Sequence, residues 1–131
     1  MSRSDATILP VALGDRAYDI HIGPGLIDDP NAYAGAIAGR DVLIVTNETV
    51  DPLYRSRVET ALAHDHRIDT LVLADGEATK SMATLDTVTT RLLENRCGRD
   101  ATVIALGGGV IGDLAGFAAA IYQRGIDFVQ L

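Results

Sequence analysis

Residues 102–131 read TVIALGGGVIGDLAGFAAAIYQRGIDFVQL, and the order of residue types in that stretch decides the fold. A β-branched run, Thr102 to Leu106, leads straight into Gly107, Gly108 and Gly109. Small and apolar residues follow from Val110 to about Arg124, and a second strand-like run, Ile126 to Leu131, closes the stretch. The same rhythm precedes it: DVLIVT at 41–46, a helical period from about Pro52 to Ala63, DTLVLA at 69–74, and another helical period from about Met82 to Asn95. Short strand-like runs that alternate with longer helices specify a parallel sheet with right-handed crossovers.

Upstream, residues 7–13 (TILPVAL) and 17–22 (AYDIHI) are separated by Gly14, Asp15 and Arg16, which predicts an N-terminal β-hairpin. Pro10 lacks an amide donor, so its strand lies at an edge or carries a bulge, and the alternation of His21 with Tyr18, Ile20 and Ile22 turns His21 to solvent. The expected fold class is α/β, a Rossmann-like parallel sheet flanked by helices with an N-terminal β-hairpin. Asp51 before Pro52 predicts an N-cap with proline in the first turn, followed by Leu53, Val58, Ala61 and Leu62 at helical spacing. Ser81 caps the next helix, whose apolar stripe is Met82, Leu85, Val88, Leu92 and Leu93. The last helix is apolar or small nearly all round, which predicts burial on most sides, and Gly112 and Gly116 let another backbone approach closely. Pro30 to Gly39, after a Gly-Pro-Gly turn, predicts one further helix.

Composition bounds the rest. With 131 residues, 47% hydrophobic and 22% charged, the chain forms one globular domain, spanning 1–131. A net charge of −7 opposes binding to nucleic acid or an anionic membrane. The single cysteine, Cys97, forms no internal disulfide and fits a reducing compartment. Met1 to Asp5 is polar, unlike a signal peptide, and the longest apolar stretch, Val110 to Tyr122, is too short to span a bilayer and is broken by Asp113. A cytoplasmic protein with no membrane partner is expected. The last residue, Leu131, falls in or just after a strand with no polar tail, as expected of a piece of something longer.

Gly107, Gly109 and Gly112 satisfy G-x-G-x-x-G between a buried strand and a helix, and such a turn offers a phosphate both free amides and a positive helix end. The alternative is a tight turn whose glycines serve helix–sheet packing. The pattern departs from the usual dinucleotide fingerprint, because it follows the third strand of the series and lacks the acidic residue about 20 positions on. The segment Ala74-Asp75-Gly76-Glu77-Ala78-Thr79-Lys80 offers carboxylates to ribose hydroxyls and an ammonium to phosphate, or is an Asp-Gly turn before a capped helix. Thr46-Asn47 offers an amide to an adenine edge, or a helix cap. All three loops leave the C-terminal ends of parallel strands, where open α/β sheets bind ligands. Asp113 suits either the helix dipole or a ribose hydroxyl. His64 and His66 share no helical face, no zinc-type spacing or G-x-S-x-G turn occurs, and no metal ligand, nucleophile or catalytic residue is assigned within the chain.

TNETVDPLY at 46–54, DGEATK at 75–80 and GRDATVIALGGGVIGDLAGFAAAIYQRGIDFVQ at 98–130 resemble the 3-dehydroquinate synthases, from the hairpin to the last residue. The resemblance implies an N-terminal domain that holds NAD through Asp75, Gly76, Glu77, Lys80, Gly108, Gly109, Val110, Ile111, Gly112 and Asp113, with Thr46 and Asn47 near the adenosine end. It implies that Arg124 reaches substrate phosphate from the neighbouring subunit of a homodimer; a cation compensating a helix C-terminus is the other reading. The family reaction converts 3-deoxy-D-arabino-heptulosonate 7-phosphate to 3-dehydroquinate and phosphate, in the shikimate pathway, with transient oxidation of a ring hydroxyl. Family members continue into a helical domain that binds a divalent metal, zinc or cobalt, through one Glu and two His. The chain stops before it, so the chain alone is expected to be inactive. Another sugar-phosphate cyclase, an iron-type polyol dehydrogenase or a non-catalytic nucleotide-binding module are the alternatives.

Overall fold

A computed structural model describes residues 6–131; the polar start, Met1 to Asp5, lies outside the described residues. Strands β1 (Thr7–Val11) and β2 (Tyr18–Ile22) pair antiparallel as a separate hairpin, with Pro10 opposite Asp19. Both strands of a two-stranded sheet are edges, so the missing proline amide is tolerated. His21 is exposed as expected, but so are Tyr18, Ile20 and Ile22 on the other face, so the alternation does not mark a buried side of the hairpin. A short helix α1 (Pro30–Ala34) follows, its first turn capped by Asp29 Oδ1, which accepts from Asn31 N at 3.0 Å. It is shorter than the 30–39 helix expected, because the chain turns at Gly35 and the amides of Ala36 and Ile37 both bond back to the Tyr33 carbonyl.

The main sheet holds β3 (Asp41–Asn47), β4 (Arg67–Leu73), β5 (Thr102–Leu106) and β6 (Asp127–Gln130), all parallel, in the spatial order β4-β3-β5-β6. Helices α2 (Asp51–Leu62), α3 (Met82–Glu94) and α4 (Gly109–Ile121) connect them. This is the α/β fold expected. Because side chains alternate across a strand, Val42, Ile44, Ile104 and Leu106 face α1 and α2, whereas Leu43, Val45, Val103 and Ala105 face α3 and α4. Coverage on both faces explains why β3 and β5 read as unbroken apolar runs. After β3 the chain leaves toward one face and after β5 toward the other, so the point where the winding reverses lies between their C-terminal ends.

Several local expectations are corrected. The N-cap of α2 is Val50, with Asp51 inside the helix, where its carboxylate pairs with Arg55. Leu53 is 60% exposed, and in α3 the stripe narrows to Leu85, Val88 and Leu92, with Met82 and Leu93 turned outward at 77% and 61% exposure. A helix that rests on one layer buries only the residues aimed at it, and apolar neighbours beyond that sector stay in water. Ser81 caps α3 as expected, accepting from Thr84 N at 3.2 Å. α4 stops at Ile121, and Tyr122–Arg124 form a tight turn in which Gln123 and Arg124 take left-handed φ of 50° and 66°. Phe117 and Ile121 are half exposed, so α4 is covered on one side only. Side chains of β6, not a backbone, approach Gly112 and Gly116. Cys97 is buried, and burial pushes its thiol up from the usual range. Among the described residues no helix is long and apolar enough to cross a membrane.

Candidate ligand-binding rim

The site grows from the end of β5. Gly107 takes φ 154°, and a Cβ there would press on Ile111 at 3.3 Å, so the turn out of the strand needs glycine. Gly108 is the N-cap of α4 and offers no side-chain cap. A Cβ at Gly108 or Gly109 would meet nothing within 4 Å, so the space before the helix is open. The amides of Gly109, Val110 and Ile111 precede the first intrahelical bond, from Gly112 N to Gly108 O at 3.0 Å. Ile111 buries its side chain in the core and offers the site backbone only. This turn sits at the winding reversal, where an anion meets free N–H groups and the positive end of the helix.

The loop after β3 is fixed beside it. Thr46 is fully buried, and its Oγ1 donates to the Leu106 carbonyl at 2.7 Å, tying the ends of β3 and β5 together. Asn47 Oδ1 accepts from Thr49 N at 3.0 Å and Val50 N at 2.8 Å, which makes Asn47 the residue that caps the approach to α2. Of the two readings of Asn47, the geometry is that of a cap: it is buried, its oxygen is occupied, and only Nδ2 faces out, toward Asp75 Oδ1 at 3.4 Å.

The loop after β4 closes onto both. Asp75 Oδ2 accepts from Thr49 Oγ1 at 2.7 Å and Oδ1 accepts from Gly76 N at 2.8 Å, so this carboxylate joins two loops. Gly76 takes φ 107°, a tight turn runs over Glu77–Thr79, and Thr79 Oγ1 donates to Ala74 O at 2.6 Å beneath it. Lys80 Nζ donates to Asp113 Oδ2 at 2.8 Å, linking this loop to α4 just past its first turn. That hydrogen bond, then the charge of Asp113, raises the Lys80 pKa. Glu77 is exposed and adds its charge near Lys80.

Thr46, Asn47, Asp75, Gly76, Glu77, Lys80 and Gly108 to Asp113 thus share one edge of the sheet. Arg124 does not. It follows the C-terminal end of α4, about 20 Å from the glycine turn at 1.5 Å per residue, at the opposite edge. Thr49 and Thr79 hold the loops together and were missed in the sequence, although a hydroxyl beside Asn47 or after an Asp-Gly turn is a signal for such bonds. The opposite edge carries a cleft of about 290 Å³ near Asp41, Arg67, Asp69 and Cys97. Its charges are paired with one another, Arg67 with Asp41 and Arg91 with Asp69, and it lies away from the open helix end.

The open α/β sheet with an uncapped glycine turn at its winding reversal defines a fold class, and solved structures of known proteins share it. A crystal structure of 2-deoxy-scyllo-inosose synthase shares the fold at TM-score 0.87 over 95% of this chain and 35% of its own, at 20% identity. The 2-epi-5-epi-valiolone synthase of Streptomyces hygroscopicus, solved with NAD+ and Zn2+ bound, is 34% identical, with TM-score 0.77 over 92% of this chain and 33% of its own. Residues 70–131 match the family described as 3-dehydroquinate synthase N-terminal. The 3-dehydroquinate synthases of Pseudomonas fluorescens and Azotobacter vinelandii are 55% and 54% identical over 94% of this chain. The chain is a relative of the N-terminal part of the 3-dehydroquinate synthases, and it spans 33% of the length of these curated relatives.

Proposed function

We propose that the chain is the NAD-binding part of a 3-dehydroquinate synthase and holds the dinucleotide along the rim after β3, β4 and β5. One observation carries this reading: the uncapped start of α4 opens onto free space at Gly108 and Gly109, in the crevice where the sheet reverses its winding. The amides of Gly109 to Ile111 donate to the pyrophosphate, Lys80 adds a positive charge, and Glu77 and Asp113 accept from ribose hydroxyls. Thr46, Asn47 and Asp75 hold the loops in register under the adenosine end. When bound, NAD supplies a hydride acceptor for transient oxidation of a substrate hydroxyl.

The reaction proposed for the whole protein is that of the relatives: 3-deoxy-D-arabino-heptulosonate 7-phosphate gives 3-dehydroquinate and phosphate, in the cytoplasm. Among the described residues no group of three or more His, Cys, Asp or Glu side chains could hold a metal ion. The chain alone is proposed to be inactive, and release of phosphate from that substrate by the purified chain would contradict this. Arg124, about 20 Å from the glycine turn along α4, is proposed to reach substrate phosphate from the neighbouring subunit of a homodimer, and that distance from the rim of its own subunit supports the reading. A second reading, another sugar-phosphate cyclase, is favoured by the 34% identity to the valiolone synthase. Calorimetric titration with NAD tests the binding role: the chain binds, and Gly109→Val, which fills the open space, does not.

A further inference from the structure

β6 meets α4 through two glycines. A Cβ on Gly116 would stand 3.4 Å from the Phe128 ring, and a Cβ on Gly112 would stand 2.6 Å from Gln130 Nε2. The two contacts are in step, because four helical residues advance about 6 Å and two strand residues about 6.6 Å. Phe128 fills its gap with apolar surface, as packing alone requires. One step nearer the rim the same gap holds a carboxamide. Gln130 pairs with Ala105, one residue before Leu106 and the glycine turn. No protein group hydrogen-bonds its side chain among the described residues. An exposed polar side chain laid across Gly112, beside amides that also lack partners, has a donor to offer and no protein acceptor among the described residues.

We propose that Gln130 is a further ligand contact: its Nε2 donates to a pyrophosphate oxygen of the dinucleotide, and Gly112 lacks a side chain so that the carboxamide can lie there. The proposal rests on the NAD reading of the rim. Its test is calorimetric titration of NAD into wild type, Gly109→Val, Gln130→Ala, Gln130→Glu, Gly112→Ala and the double variant Gly112→Ala/Gln130→Ala, with the melting temperature of each recorded. Gln130→Ala weakens NAD about 3- to 10-fold, the range for one lost hydrogen bond, and leaves the melting temperature unchanged. Gly112→Ala only has to push aside the end of a flexible side chain, so it folds and loses the same factor. The double variant loses no more than either single one, because both act on one contact. Gln130→Glu loses more than Gln130→Ala, since a carboxylate repels phosphate.

Wild-type affinity in Gln130→Ala, tighter binding by Gln130→Glu, or a further loss in the double variant would each overturn the contact. If Gly109→Val abolishes binding while Gln130→Ala does not, the rim reading stands and Gln130 falls. If wild type gives no heat with NAD, both fall together.

Discussion

Lys80 Nζ lies 2.8 Å from Asp113 Oδ2, and this one hydrogen bond joins the loop after β4 to the start of the second turn of α4, spanning the end of β3 between them. Both side chains are about half exposed or more, at 49% and 62%, so the pair is screened by water and holds little of the fold. Its weight lies in what it positions. A cation at the start of a helix opposes the dipole unless an anion accompanies it, and Asp113 is that anion.

Lys80→Ala is therefore expected to leave the melting temperature unchanged and to weaken NAD binding, read by calorimetry. The Lys80 pKa is raised by the Asp113 hydrogen bond. A raised amine contributes its pairing fully below the unfolded-state pKa and loses it as pH rises through the folded value, so NAD affinity stays level from neutral pH to about 9 and falls only in stronger alkali. A Lys80→Ala protein that melts several degrees lower would assign the pair to stability instead.

Asn47, not Asp51, caps the approach to α2. Asn47→Ala removes two bonds to backbone amides and is expected to cost about 1–2 kcal/mol in urea unfolding. Asp51→Ala costs less, because its ion pair with Arg55 lies on the helix surface. The reverse order would return the cap to Asp51.

Thr102 is fully buried at the start of β5, and its Oγ1 is the one buried side-chain polar atom without a partner among the described residues. Thr102→Val replaces that hydroxyl with a methyl of similar size and is expected to raise stability by about 1 kcal/mol. A loss of stability in the same urea titration would reveal a bond that the hydroxyl makes.

Asp69 anchors the opposite edge. Burial raises its pKa, but hydrogen bonds from Asn95 and Arg91 and the charge of Arg91 outweigh burial, and the carboxyl is held below the usual carboxylate range. A depressed carboxyl contributes stability that is present above the unfolded pKa and is lost as pH falls through the folded value. Thermal melts should show wild type losing stability below about pH 4, and Asp69→Asn should flatten that part of the profile. Identical acid profiles would remove Asp69 from the account.

The sheet was legible because parallel strands covered on both faces carry unbroken β-branched runs, as DVLIVT and TVIAL do, with helical periods between them. Gly107 to Gly109 were legible because a turn from strand into helix leaves few other residues able to make it. The strand order was not, since β4 and β5 lie on either side of β3 and no local pattern encodes which neighbour a strand chooses. The outward turn of Met82, Leu93 and Leu53 escaped periodicity because apolar spacing marks a face without fixing how wide a sector its neighbours cover. Asp51-Pro52 has the composition of a cap, and it was displaced because Asn47, four residues earlier, already holds the amides of Thr49 and Val50. The left-handed turn at Gln123 and Arg124 has no sequence signal, as glycine or asparagine would have given. Gln130 was read only as part of a strand, because its meeting with Gly112 depends on the register between β6 and α4.

The most direct measurement of the rim is a titration of the isotope-labelled chain with NAD followed by backbone amide NMR. The account predicts shifts at 46–49, 75–80, 107–113 and 130, with the amides around Asp69, Arg91 and Cys97 unmoved. Shifts centred on that opposite edge, or none at any NAD concentration, would contradict it.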